Sequence, residues 1–199
     1  MNRRDFLLAT SSAFAAPWAL AGKAKGPVDV VKIMSLACSV CRAAENQDPF
    51  IAKAAQATGG TFVWAPVPTE KDDLHGAAEK TYYASRALGE DFAAKVKDSL
   101  YKGWQDMGVP LYNVPQVFAW LEQDLPAEIE KLTRLQSAVV RGAGRQALSR
   151  AASLAVNAGV QVLPGYILLQ RGQIVVLLDP SVVQGQSLLL LRQKVISYL

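Results

Sequence analysis

Residues 34–42 read Met-Ser-Leu-Ala-Cys-Ser-Val-Cys-Arg and hold the only two cysteines of the 199-residue chain, Cys38 and Cys41. A β-branched apolar run at 28–34 leads into them and an alanine-rich helical pattern follows, so we expect a strand, a turn and a helix. The spacing puts Cys38 at the start of that helix and Cys41 one turn inside it. Unpaired amides and the helix dipole favour a thiolate at this end. Cys38 is therefore the candidate nucleophile and Cys41 the candidate resolving thiol.

Three other uses of a Cys-x-x-Cys pair stay open. Half of a zinc site would need further ligands, and the chain has one histidine, His75, to which we assign no role. A structural disulfide would close so small a loop that it removes little entropy from the unfolded chain. A copper site could combine both thiolates with the thioether of Met34. At a strand-to-helix junction of an exported chain, we favour redox chemistry.

Residues 1–21 have the features of a cleavable export signal. Arg3 and Arg4 form a basic start, a short alanine-rich apolar run follows, and small residues end at Ala21. The arginine pair followed by Phe-Leu resembles the twin-arginine export motif, and an ordinary secretory signal is the alternative. Either route predicts a mature protein from about Gly22 in an oxidising compartment, the bacterial periplasm, where disulfides persist.

Composition limits the classes of function. An apolar fraction of 51% is enough for the core of one domain, and the net charge of +4 is spread along the chain. No basic run with interleaved aromatics supports nucleic-acid binding, and no apolar stretch beyond the N-terminus is long enough for a membrane span. No organic cofactor and no metal is implied, and the oligomeric state stays open.

The order of expected elements is β-α-β, a helical block, then β-β-α. The first helix should break near Pro49, and the cysteines lie at the first turn of a β-α-β unit. The block at 72–158 is helical throughout, with one helix from about 90 to 107 and a break around 142–144. Without this block the arrangement is that of thioredoxin, so we predict an α/β thioredoxin-like domain at 22–199 with a helical insertion at 72–158. The predicted strands are 28–34, 61–67, 166–170 and 174–178, and the last helix is 188–198.

The chain resembles the DsbA-like thiol:disulfide oxidoreductases of the bacterial envelope over nearly all of its mature length. The resemblance rests on the strand leading into residues 38–41, the helical block, the stretch Arg-Ala-Leu-Gly at 86–89, and Gly-Val-Gln-Val-Leu-Pro at 159–164. It implies disulfide exchange with exported thiol-containing proteins and a membrane redox partner that reoxidises the pair. If the exchange reaction runs in the other direction, the same two cysteines would act as a reductase or isomerase. A non-catalytic metal carrier or assembly chaperone on the same scaffold is the rival interpretation.

The resemblance also implies roles for the neighbours of the cysteines. Pro164 would be cis and lie beside the pair, and Leu163 would contact the sulfurs and offer backbone bonds to a bound peptide. Threonine or valine is commoner in place of Leu163, whose bulk would raise the thiolate pKa by desolvation. Strongly oxidising relatives have histidine where Val40 stands, and the hydroxyl of Ser39 would compensate in part. We therefore predict a weaker oxidant than the Cys-Pro-His-Cys members.

Lys32, six residues before Cys38, is a further departure from the family. Thioredoxin-like proteins often hold a buried acid there, which moves the proton of the second cysteine. If Lys32 points inward, its positive charge would favour the thiolate and would offset the absence of a histidine at Val40. On an exposed face of the strand it would have no such effect, and both orientations stay open.

Overall fold

The structure, a computed structural model, describes residues 26–69, 76–184 and 187–199 of the chain. The predicted export signal at 1–21 and His75 lie outside the described residues. Within the described ranges, no helix has both the length and the apolar character needed to cross a bilayer.

Four strands form one mixed sheet at the centre of the fold. They are β1 (Asp29–Met34), β2 (Phe62–Pro66), β3 (Gly165–Gln170) and β4 (Gln173–Leu178). The spatial order is β2-β1-β3-β4. Strand β1 pairs in parallel with β2 and antiparallel with β3, and β3 pairs antiparallel with β4. All four strands agree with the predicted ones to within a residue at each end.

Two helices follow β1, α1 (Ser39–Ala44) and α2 (Asp48–Ala57), separated by one 3₁₀ turn. The predicted break at Pro49 is confirmed, because this proline lies in the first turn of α2, where its missing amide would have no partner anyway. After α2 the chain passes close to the start of β1, and a Cβ at Gly60 would lie 1.9 Å from the Val28 carbonyl oxygen. Only glycine permits this approach, which brings β2 alongside β1.

Every element described between β2 and β3 is helical, as the sequence pattern predicts. The chain turns between the last two helices of this block at Gly142 and Gly144, whose φ values of 98° and 80° suit glycine. A last helix follows β4 after a 3₁₀ turn. The helices are α3 (Ala77–Ser85), α4 (Glu90–Tyr101), α5 (Val114–Asp124), α6 (Ile129–Val140), α7 (Arg145–Ala158) and α8 (Leu188–Tyr198).

The helix predicted from about 90 to 107 is present, and it consists of α4 followed directly by a π-helical turn at Lys102–Asp106. The indole of Trp120 lies against this turn, and a Cβ at Gly103 would be 2.8 Å from its Nε1. The same Nε1 donates to the Ser99 carbonyl oxygen at 2.8 Å. The predicted extent of the helix is therefore confirmed, and the π-helical form of its last turn is a feature that the sequence pattern did not indicate.

Helices cover both faces of the sheet. Helices α2 and α8 pack on one face, around Val30 and Tyr166, and α7 packs on the other, around Ile33 and Ile167. Side chains alternate along a strand, so Lys32 shares the face of Val30 and points toward α2. Because the central strand is covered on both sides, the open question of orientation is resolved: Lys32 is 0% exposed.

Candidate active site

Cys38 is the N-cap of α1, the residue whose side chain caps the first turn of the helix. Its backbone is extended (φ −90°, ψ 108°), and its Sγ accepts a hydrogen bond from the Cys41 amide at 3.1 Å. Both cysteines are free thiols, with Cys38 partly buried and Cys41 fully buried. The sulfur of Cys38 is therefore the one that an outside molecule can reach.

The surroundings lower the pKa of the Cys38 thiol to about 6. The largest cause is the hydrogen bond with the Cys41 side chain, and partial burial opposes it. The backbone amides of Cys41 and Val40 and the positive charge of Lys32 lower the pKa further. Near neutral pH, Cys38 is therefore mostly a thiolate, the form that attacks disulfides.

Cys41 has the opposite character. Its hydrogen bond to Cys38 and its burial raise the pKa of its thiol far above the ordinary value. A second negative charge next to the Cys38 thiolate, in a buried position, is unfavourable. In the reduced protein the pair therefore shares one proton, which is held on Cys41.

The predicted neighbours of the cysteines lie in two places. Ser39 and Val40 form the exposed first turn of α1, and Val40 is 46% exposed. Leu163 and Pro164 belong to the loop before β3, and the peptide bond between them is cis. Pro164 is buried, and the partly buried Leu163 packs against the same apolar cluster as Cys38. The fold thus brings two stretches far apart in sequence to one cluster.

Lys32 and Asp48 form a buried ion pair, with Nζ of Lys32 2.7 Å from Oδ2 of Asp48. The ammonium also donates to the Cys41 carbonyl oxygen at 3.2 Å. Asp48 accepts two more hydrogen bonds, from the Trp64 indole at 2.7 Å and from the Tyr166 hydroxyl at 3.2 Å. The ion pair therefore connects the sheet with the backbone of the cysteine motif.

Asp48 is the residue of this site that sequence reasoning missed. Burial raises the pKa of its carboxyl, and the charge and hydrogen bond of Lys32 oppose that rise. In the sequence it is an acid at a helix start, directly before Pro49, which is an ordinary surface position. The sequence did hold one signal for such an acid: Lys32 lies inside an apolar strand, and a buried charge needs a partner of opposite sign. The chain has 17 acidic residues, and only the fold shows which one pairs with Lys32.

The π-helical turn holds the loop that leads into the cysteine motif. Nε2 of Gln105 donates to the Leu36 carbonyl oxygen at 2.8 Å. Just after the motif, both Nη atoms of Arg42 bond the carboxylate of Asp106, at 2.6 and 2.9 Å. These contacts flank the motif on both sides, so the helical block and the motif position each other.

The structure also bears on the metal-site alternatives. The sulfur of Met34, the third ligand of the copper alternative, is fully buried and accepts a hydrogen bond from the Tyr101 hydroxyl at 3.6 Å. In the described ranges, no three His, Cys, Asp or Glu side chains are grouped so that they could hold one ion. Metal-binding thiols must lose their protons, and the raised pKa of Cys41 works against a second thiolate.

Comparison with known proteins finds similarity in structure. No model of a protein family matches the sequence, and no curated protein matches it. The fold is similar to that of DsbA from Xylella fastidiosa, with a TM-score of 0.62 and 18% identity over 92% of this chain and 86% of that one. For DsbA from Pseudomonas aeruginosa the TM-score is 0.62 and the identity 16%, over 88% and 87% of the two chains.

The fold is also similar to that of a disulfide reductase. The cytosolic disulfide reductase DsbM from Pseudomonas aeruginosa matches with a TM-score of 0.57 and 14% identity, over 83% of this chain and 96% of that one. At such identities the likeness is one of fold. The chain therefore has the thioredoxin-like fold of the DsbA-like thiol:disulfide oxidoreductases, as its sequence resemblance predicts.

Proposed function

We propose that this protein is a thiol:disulfide oxidoreductase of the bacterial periplasm that exchanges disulfides with exported proteins through Cys38 and Cys41. One observation carries the proposal: a reachable Cys38 with a pKa lowered to about 6 stands beside a buried, protonated Cys41 at a helix start. A structural disulfide would need no difference in ionisation between its two sulfurs, whereas exchange chemistry depends on it.

The exchange begins with the oxidised protein, in which Cys38 and Cys41 are joined. A client thiolate attacks the sulfur of Cys38, so the bond between the two cysteines breaks and a mixed disulfide forms. Cys41 leaves as a thiolate and takes up a proton. A second client thiolate then attacks the client sulfur of the mixed disulfide, which forms the client disulfide and releases Cys38 as a thiolate. Two client thiols are oxidised, and the protein gains the two electrons.

The direction of net transfer follows from the stability of the reduced form. A lowered pKa of Cys38 stabilises the reduced protein, and this makes its disulfide the better oxidant. We therefore put oxidation of client thiols first, with a membrane redox partner that removes the electrons. The exposed, aliphatic Val40 supports a second candidate, a reductase or isomerase, because the strongest oxidants of the family have a histidine donor there.

The proposal is tested by mixing the disulfide form of the purified protein with a reduced dithiol peptide. The Cys38→Ser variant should lose exchange. The Cys41→Ser variant, mixed instead with the disulfide form of the same peptide, should accumulate a mixed disulfide, because its Cys38 thiolate displaces one peptide sulfur as a thiolate and no second cysteine of the protein resolves the product. Each variant lacks the same internal disulfide, so each serves as the folding control of the other. A Cys38→Ser variant that oxidises the peptide at the wild-type rate would contradict the proposal.

Two further measurements separate the alternatives. Equilibration with glutathione gives the redox potential, and a strongly reducing value, together with rapid reduction of insulin, would favour the reductase. Stoichiometric copper on the purified protein, without any exchange, would favour a metal carrier.

A further inference from the structure

The buried ion pair below the cysteine motif calls for a physical reason. Removing two charges from water is costly, and a buried ion pair is often no more stabilising than apolar side chains of the same size. Lys32 and Asp48 are 0% and 2% exposed. Their hydrogen bonds are well formed, and one of them reaches the Cys41 carbonyl oxygen.

The two charges of the pair are not equivalent toward the cysteines. The ammonium of Lys32 is the charge that contacts the motif, through Cys41. The carboxylate of Asp48 is engaged by Lys32, by the Trp64 indole and by the Tyr166 hydroxyl. Asp48 therefore anchors the cation, and the cation faces the motif.

Glu45 is another acid whose charge acts on Asp48. Glu45, in the turn before α2, bonds the ammonium of Lys97 from α4. Lys97 is also buried, at 3% exposure, and its Nζ lies 4.8 Å from the centre of the Trp64 ring. Lys97 is absent from the charges that act most on Cys38, whereas Lys32 is among them. The two buried lysines thus differ in their contacts, because Lys32 donates to the backbone of the cysteine motif and Lys97 pairs with Glu45.

We propose that Lys32 and Asp48 are positioning residues of the redox site, in which Asp48 holds the ammonium of Lys32 against the Cys41 backbone so that this cation stabilises the Cys38 thiolate. The cation then takes over part of the role of the histidine that is absent at Val40. Its sign is opposite to that of the buried acid that the family resemblance implies at this position. The consequence for disulfide exchange rests on the proposed function, but the effect on ionisation does not.

Two variants test the proposal, Lys32→Met and the double variant Lys32→Met/Asp48→Asn. The double variant leaves no unpaired buried charge, which protects the fold. In both, the pKa of Cys38 should rise, because both remove the cation that faces the cysteine motif. A rise of about one pKa unit would lower the thiolate fraction at pH 6 from about one half to about one tenth, and slow alkylation about fivefold.

Lys97→Met is the matched control, because it also removes a buried lysine from an ion pair. It should lower the free energy of unfolding as Lys32→Met does, yet leave the pKa of Cys38 unchanged. The pKa is read from the ultraviolet absorbance of the thiolate, which is measurable even if the protein exchanges no disulfides. A double variant with the wild-type pKa, or a Lys97→Met variant that shifts it equally, would overturn the proposal. If the Cys38 pKa shifts as expected but no variant exchanges disulfides, the proposed function fails, and the inference about the ionisation of Cys38 still holds.

Discussion

The sulfur of Cys38 accepts a hydrogen bond from the backbone amide of Cys41, and the two atoms lie 3.1 Å apart. In most helices a serine, threonine or aspartate oxygen makes this contact. Here the capping atom and the reacting atom are the same, so ionisation of Cys38 also strengthens the cap, because hydrogen bonds to charged acceptors are the stronger ones. The same hydrogen bond thus caps the helix and favours ionisation of the thiol.

Replacement of Cys41 by alanine separates the contributions of its thiol and its amide. The thiol is the largest cause of the lowered pKa of Cys38, so the pKa should rise above about 6. It should remain below the ordinary thiol value, because the amides of Cys41 and Val40 still face the sulfur. Thiolate absorbance as a function of pH measures this. A pKa at the ordinary value would show that the amides contribute nothing.

The stability of the reduced protein should depend on the ionisation of Cys38. Folding depresses this pKa to about 6, so the stabilisation is fully present above the unfolded thiol pKa of about 8.5 and is lost as the pH falls through about 6. The raised pKa of Cys41 has its effect only above this window. The free energy of unfolding, measured by urea denaturation, should therefore rise from pH about 6 to about 8.5 relative to Cys38→Ser. Parallel curves for the two proteins would contradict this.

Substitution of Val40 by histidine should make the protein more oxidising. The side chain at this position is exposed in the first turn of α1, where an imidazole can donate to the Cys38 thiolate. A single hydrogen bond to a charged group contributes about 1.5–3 kcal/mol, and about 1.4 kcal/mol corresponds to 30 mV. Equilibration with glutathione gives the shift. Val40→Asn, a shorter and uncharged donor, should shift the redox potential less. An equal shift would show that any polar side chain at this position has the effect, and that the imidazole is not needed.

The Gln105→Leu substitution should destabilise the loop before the cysteines. It removes the donor to the Leu36 carbonyl oxygen while keeping the size of the side chain. An unsatisfied, partly buried carbonyl costs about 1–3 kcal/mol, which urea denaturation measures. Asp106→Asn should cost less, because its ion pair with Arg42 is exposed to solvent and screened. Equal losses of stability would show that the ion pair holds the loop as strongly as the Gln105 hydrogen bond does.

The order of elements was predictable because prolines and glycines mark its boundaries. Pro49 marks the start of α2, and Gly142 and Gly144 separate α6 from α7. The position of Cys38 at a helix start was predictable as well, because an apolar strand pattern leads into it and a helical pattern follows. The cis bond before Pro164 was implied by resemblance and not by local sequence.

Three features could not be read from the sequence. The orientation of Lys32 was open because its neighbours in β1 are apolar, and a strand buried on both faces shows no alternation of polar residues. Asp48 meets Lys32 only through tertiary packing, across 16 residues of chain. The π-helical turn lies against the indole of Trp120, which comes from the next helix along the chain.

Strand β1, which carries Lys32 and leads directly into the loop before Cys38, is paired along both of its edges. Backbone amides in such a strand exchange with deuterium only when the fold opens globally, unlike those in a fraying edge or loop. Strand β1, which positions Lys32 near the Cys38 thiolate, therefore opens only when the whole domain unfolds. A molecule that reacts with the partly buried sulfur of Cys38 therefore meets a rigid backbone support whose amides stay closed to solvent.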